Sequence, residues 1–164
     1  MGDVGFVYSN QVTTLIGRDT EYMIHIPPSS NGIEDAMTTI LVVNDDSSII
    51  ELYRLILEQE RYRVIGVSTS YEALHILNET KPDLIITNIA RSPMDGWEFI
   101  INCKTNPQTK DIPVIVASAQ TYTPEKQQKF GRYIEDNIQL VFTPDVLIDT
   151  IKKVLEKRTG IFQK

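Results

Sequence analysis

The chain has 164 residues, 41% of them hydrophobic and 23% charged, with a net charge of −6 at neutral pH. This describes one ordinary domain with residues to spare, apolar enough to bury a core and without the basic face that nucleic-acid binding needs. A single cysteine, Cys103, excludes an internal disulfide and a cysteine-rich zinc site, and no apolar run approaches membrane-spanning length.

The N-terminus lacks the basic start and apolar centre of a signal peptide, so the cytoplasm is the expected compartment. Residues 1–37 carry five acids, Asp3, Asp19, Glu21, Glu34 and Asp35, against Arg18 alone, and so hold −4 of the net charge. They show no clear period. Phe6 to Tyr8 and Val12 to Ile16 could form short strands, and Ile26 to Gly32 has the Pro, Ser, Asn and Gly content of a linker. This extension is read either as an acidic, disordered or docking arm, or as an artefact of a gene whose true start is Met37.

From Thr38 the pattern becomes regular. Thr39 to Val43 is an unbroken apolar and β-branched run, the mark of a strand buried on both faces in a parallel sheet. It ends on Asn44, Asp45 and Asp46. Ser48 to Glu51 fits a capping box, followed by Ile49, Leu52, Tyr53 and Ile56 at helical spacing. Arg63 to Val67 predicts a second strand. Thr69 to Glu72 is another capping box, opening a helix with Ala73, Leu74 and Leu77 inward. Leu84 to Thr87 predicts a third strand, closing on Asn88, and a loop through Met94-Asp95-Gly96 leads to a helix from Trp97 to about Thr105.

A fourth strand, Val114 to Ala117, closes on Ser118. Thr123-Pro124 opens a helix with proline at its first position. A short fifth strand is expected over Leu140 to Phe142, ending on Thr143. Pro144 then begins a last helix, with Leu147, Ile151 and Val154 inward, that runs to about Arg158; residues 159–164 are a tail. Five strands alternating with five helices predict an α/β fold, a doubly wound parallel sheet joined by right-handed crossovers. In such a sheet, sites gather at the carboxyl ends of the strands.

The elements in this order, the acidic turn after the first strand, Met94-Asp95-Gly96, Ser118-Ala119 and the proline after the fifth strand resemble the receiver domain of two-component response regulators. The resemblance covers roughly Thr38 to Arg158. It implies a five-stranded sheet of flavodoxin-like order 2-1-3-4-5. It also implies a site with two acids that hold Mg²⁺, a nucleophilic Asp, a hydroxyl residue and a lysine, which together accept a phosphoryl group.

Placed residue by residue, Asp45 matches the second acid, Ser118 the hydroxyl, and Ala90 the backbone carbonyl that ligates the metal. Three positions depart: Asn44 replaces the first acid, Asn88 the nucleophile and Thr143 the lysine. An amide oxygen is weakly nucleophilic and yields no stable acyl phosphate. Two negative charges and one positive charge have gone together, so the pocket reads as degenerate, with no cofactor and at most residual Mg²⁺ binding at Asp45 and Ala90. Leu140 falls where the family often has a switching aromatic residue.

The expectation is a stand-alone pseudo-receiver, not an enzyme, that acts by protein contact. With no output domain after the last helix, its partner would be a histidine kinase or another pathway component. In the family the fourth helix, fifth strand and fifth helix form the partner face. Here that face would include Lys126, Lys129, Arg132, Tyr133, Lys152 and Lys153. Neither nucleic acid nor membrane is expected as a partner. Two alternatives stay open: a working receiver with an unexpected acceptor, Asp45 or Asp46, and a flavodoxin-like cofactor binder. Acids where a phosphate would lie argue against the second. Blander roles are assigned to His75 (surface), Cys103 and Trp97 (core), and Asp95 (helix start).

Overall fold

A computed structural model describes residues 37–89, 96–119, 123–139 and 142–160, together with the backbone of three short strands near the N-terminus. The chain divides into two compact units, Met1–Ala36 and Met37–Lys164. The first holds β1 (Val7–Ser9), β2 (Val12–Gly17) and β3 (Thr20–His25) in an antiparallel meander. Two of these strands match runs legible in the sequence. The third, Thr-Glu-Tyr-Met-Ile-His, was not anticipated, because its charged and polar residues interrupt the apolar signal.

The second unit runs β4 (Thr39–Val43), α1 (Ser47–Gln59), β5 (Arg63–Val67), α2 (Ser70–Glu79), β6 (Leu84–Thr87), α3 (Gly96–Thr105), β7 (Val114–Ser118), α4 (Pro124–Phe130), a 3-10 turn (Gly131–Tyr133), β8 (Asp136–Gln139) and α5 (Pro144–Thr159). Its five strands are all parallel, in the order β5-β4-β6-β7-β8. Counted within this unit, that is the expected 2-1-3-4-5.

Successive residues of a strand point to opposite faces, and the sheet is buried on both. Leu41, Val43, Ile85, Val114 and Val116 share one core with Ala73 and Leu77 of α2, Trp97, Phe99, Ile100 and Cys103 of α3, and Phe130 of α4. Ile40, Val42, Leu84, Ile86 and Ile115, of the opposite parity, are equally buried, as are the inward residues of α1 and α5. Each fully buried Leu, Ile or Val contributes about 1.5–3 kcal/mol relative to exposure, so the central strands set the fold.

Gly66 lets α1 approach the edge strand β5, because a side chain there would run into the side chain of Ile50. On the same strand the guanidinium of Arg54 donates to the carbonyl of Val64 at 3.0 Å, and Glu51 and Glu58 flank that guanidinium. At the amino edge of the sheet, Asp83 accepts the Thr39 N–H at 2.9 Å, while Arg158 near the end of α5 donates to the Asp83 carbonyl at 2.9 Å.

Helix starts follow the sequence with one correction. Thr69 and Thr123 cap α2 and α4 as expected, each accepting the N–H three residues on. For α1 the cap is Asp46, not Ser48: its carboxylate accepts the Ser48 N–H at 2.9 Å, and the helix begins at Ser47. An aspartate that can reach the first turn caps as well as a serine does, and its charge also suits the helix dipole. The fifth strand is corrected too. It runs Asp136–Gln139 rather than Leu140 to Phe142; Phe142 lies beyond it, and Leu140 and Val141 lie outside the described residues. Asp-Asn-Ile-Gln is an edge strand with one buried residue, Ile138, so hydrophobicity does not announce it.

Candidate functional site

The carboxyl edge of the sheet collects the residues singled out in the sequence. Val43, Thr87 and Val116 are in register across β4, β6 and β7, so Asn44 and Asn88 leave the sheet at the same level and Ser118 ends the neighbouring strand. The Asn88 N–H donates to the carbonyl of Val43 at 3.1 Å, and the Asn44 N–H to that of Val67 at 3.1 Å. These bonds continue the parallel ladder one residue past each strand and fix where both side chains depart.

Asn44 is 5% exposed and Ser118 3%. The side-chain oxygen of Asn44 accepts the N–H of Asp46 at 2.9 Å, closing a tight turn at the end of β4. Asp46 in turn caps α1, so of the acids in this turn only Asp45 stands outside the helix start, and it is exposed. Thr143 occupies the cap position of α5, exposed, and its side chain makes no capping bond. Asn88 is half-buried. Ala90, Met94 and Asp95 lie outside the described residues. Among those described, no group of three His, Cys, Asp or Glu side chains is gathered in a way that would hold a metal ion.

Gly96, the first residue of α3, meets this edge from behind. A Cβ at that position would collide with the Cα of Ile89 and stand 2.8 Å from the carbonyl oxygen of Asn88. The sequence showed the glycine; only the structure shows that it rests against the turn carrying Asn88. Trp97 and Cys103 are core residues as expected, and His75 lies on the surface beside Glu79.

Lys126, Lys129, Arg132 and Lys153 are exposed, and Tyr133 is half-buried with the Arg132 guanidinium 4.9 Å from its ring. Lys152 is exposed as well. It pairs with Glu60 at the end of α1, 3.3 Å away, because that position on α5 turns towards α1.

The family model for the response regulator receiver domain matches residues 40–152. The chain belongs to the response regulator receiver family.

Among receiver-containing relatives, it is 31% identical over 121 residues to the heme response regulator HssR of Staphylococcus saprophyticus, covering 74% of this chain and 53% of that protein. It is 30% identical over 118 residues to the phosphate regulon transcriptional regulatory protein PhoB of Escherichia coli, covering 72% and 52%. The chain thus spans about half the length of the curated relatives it matches. Its structure is similar to the N-terminal domain of a response regulator receiver protein from Methanoculleus marisnigri, with a TM-score of 0.62, 38% identity, and coverage of 79% of this chain and 100% of that one. It is also similar to the chemotaxis response regulator CheY4 of Vibrio cholerae, with a TM-score of 0.67, 27% identity, and coverage of 73% and 99%. The receiver fold anticipated from the order of elements and the motifs at the strand ends is therefore the fold of this unit.

Proposed function

We propose that this receiver domain works as a pseudo-receiver, a signalling module that acts by protein contact without phosphorylation at the usual position. The observation that carries this reading is Asn88 at the end of β6, seated in the ladder by its bond to Val43, where the family resemblance puts the nucleophile. A neutral amide there cannot form the acyl phosphate of an aspartate. Asn44 and Thr143 support the same reading, since they remove a metal ligand and the cation that would offset phosphoryl charge.

Among the described residues no set of side chains fits a Mg²⁺ site. The Asn44 oxygen already accepts the Asp46 N–H, Asp46 caps α1, and Asp45 alone is a poor set for an ion that demands near-ideal octahedral oxygen ligands. The module then works without a cofactor and catalyses no reaction of its own. Its partners would be a histidine kinase or another component of a two-component pathway, met in the cytoplasm through α4, β8 and α5. That face carries Lys126, Lys129, Arg132 and Lys153 together with the exposed acids Glu125, Asp145 and Asp149, so charge complementarity would set the register of a partner.

A second reading, phosphorylation at Asp45, has one observation in its favour: that carboxylate is exposed at the same edge. Mass spectrometry after incubation with acetyl phosphate and Mg²⁺ separates the two. The unmodified protein should gain no phosphoryl mass, and Asn88→Asp alone should react poorly. A stoichiometric, hydroxylamine-labile adduct on the unmodified chain would sink the pseudo-receiver reading, and loss of that adduct in Asp45→Asn would establish the second.

A further inference from the structure

The N-terminal unit, Met1–Ala36, contains a three-stranded antiparallel meander in the order β1-β2-β3. A unit of this length falls below the roughly 40 residues under which a fold ordinarily needs a disulfide, a metal or association with another chain. The only cysteine is Cys103, in the other unit, so no disulfide closes within the meander. With one histidine, His25, and no cysteine, residues 1–36 also lack the ligands of a structural zinc site. Association is the remaining route.

The register of the strands indicates where it takes place. Val12, Thr14 and Ile16 lie opposite His25, Met23 and Glu21 on one face; Thr13, Leu15 and Gly17 lie opposite Ile24, Tyr22 and Thr20 on the other. Apolar and polar residues are mixed on both faces, so neither offers a continuous apolar surface to a second layer. The open feature is the edge. Among the described residues β3 pairs with β2 alone. Its sequence, Thr-Glu-Tyr-Met-Ile-His, has no proline, lysine or arginine, the residues with which edge strands commonly refuse a neighbour.

This edge is complementary to itself. A two-fold axis normal to the sheet at Met23 sets two copies of β3 antiparallel, with position 23 opposite position 23. Position 22 is then opposite 24, and 21 opposite 25. An aromatic residue, Tyr22, is matched with a β-branched one, Ile24, and an acid, Glu21, with a histidine, His25. The symmetry makes each match twice, and both are of the kind that stabilises neighbouring strands. Moving the axis to Tyr22 sets Glu21 opposite Met23 and Thr20 opposite Ile24, and both matches are lost.

We propose that β3 pairs antiparallel with β3 of a second copy of this chain about Met23, joining two meanders into one continuous sheet. The inference goes beyond the pseudo-receiver reading and does not rest on it. The dimer presents two receiver units on one assembly, so a partner with two sites gains in effective concentration.

Sedimentation equilibrium on the full chain tests the pairing. The natural protein should be dimeric at micromolar concentration. Glu21→Lys and His25→Glu each replace a favourable match by a neutral or repulsive one, twice over, and each should raise the dimer Kd about tenfold. Glu21→Lys combined with His25→Glu sets opposite charges against each other again and should return the Kd to within about threefold of the natural value. Met23→Cys should cross-link to its own copy under mild oxidation, and Tyr22→Cys, one step off the axis, should not. A chain that stays monomeric, a dimer indifferent to both single changes, a combined variant no tighter than the single ones, or a cross-link at position 22 instead of 23 overturns the proposal.

Discussion

The side-chain oxygen of Asn44 accepts the N–H of Asp46 at 2.9 Å. The amide oxygen of Asn44 is thus engaged by the backbone, where it holds the turn that lets Asp46 cap α1. A carboxylate at the same position could keep this bond with one oxygen and leave the other free.

This leads to a fluorescence experiment. Trp97 is the only tryptophan, and it follows the glycine that rests on the Asn88 turn. The natural protein should show no saturable change in Trp97 emission below about 10 mM Mg²⁺, because a lone carboxylate does not strip water from this ion. Asn44→Asp combined with Asn88→Asp should restore a response, since it returns two charges to one edge of the sheet. Saturation of the natural protein at submillimolar Mg²⁺, lost in Asp45→Ala, would show an intact site.

Lys104 predicts strong coupling across the sheet. Only 10% of its side chain is exposed, and the ammonium donates to the carbonyls of Ile112 at 2.8 Å and Lys110 at 3.3 Å and to Glu135 at 3.2 Å. Glu135 also accepts the Val114 N–H at 2.6 Å, so the pair secures the approach to β7 and the start of β8 together. Lys104→Ala should cost about 1–3 kcal/mol, chiefly by leaving the Ile112 carbonyl without its donor. In a double-mutant cycle with Glu135→Ala, denaturant unfolding should show a coupling of about 1 kcal/mol. Strict additivity would reduce the pair to a surface contact.

Alkaline stability should fall in two stages. Burial pushes the Cys103 thiol from 9.0 up to about 12, with Lys104 opposing, and burial also raises the Tyr53 hydroxyl above its usual 10.0. Both groups hold their protons more firmly when folded. The stabilisation is therefore complete below about pH 9 and lost as pH climbs towards the folded values, because the unfolded chain ionises first. In Cys103→Ala the decline should begin later, near the ordinary tyrosine range. In Tyr53→Phe the upper part of the decline should flatten at little cost near neutrality, since the Tyr53 hydroxyl is buried without a hydrogen-bond partner. Thermal unfolding against pH reads both, and unchanged alkaline limbs would contradict them.

Much of this was legible in the order of residues because it is local. Thr39 to Val43, Leu84 to Thr87 and Val114 to Ala117 are buried on both faces, so an apolar run and the polar residue ending it place a strand and a site position together. Asn44, Asn88 and Ser118 could be assigned to one edge for that reason. What escaped depends on contacts between distant residues. Nothing in the spacing of Gly96 and Asn88 announces that their backbones touch, nor that Trp97 lies on Phe130. Lys152 reads as one more basic residue of α5 until Glu60 is seen beside it. The strand Asp136–Gln139 has polar residues on three of four positions and is held by its partner β7, which no local pattern reveals.

The Arg54 contact at the other end of the sheet bears on how the domain can assemble. A strand added beside β5 would need the carbonyl of Val64, but that oxygen already accepts the Arg54 guanidinium, and Glu51 and Glu58 keep the guanidinium in place. At the β5 margin one outward acceptor is thus taken up from within the domain, although β5, like β8, has a described neighbour on one side only. The Arg54 side chain of α1 therefore lies over the outward edge of β5 as a guard that an added strand would have to displace.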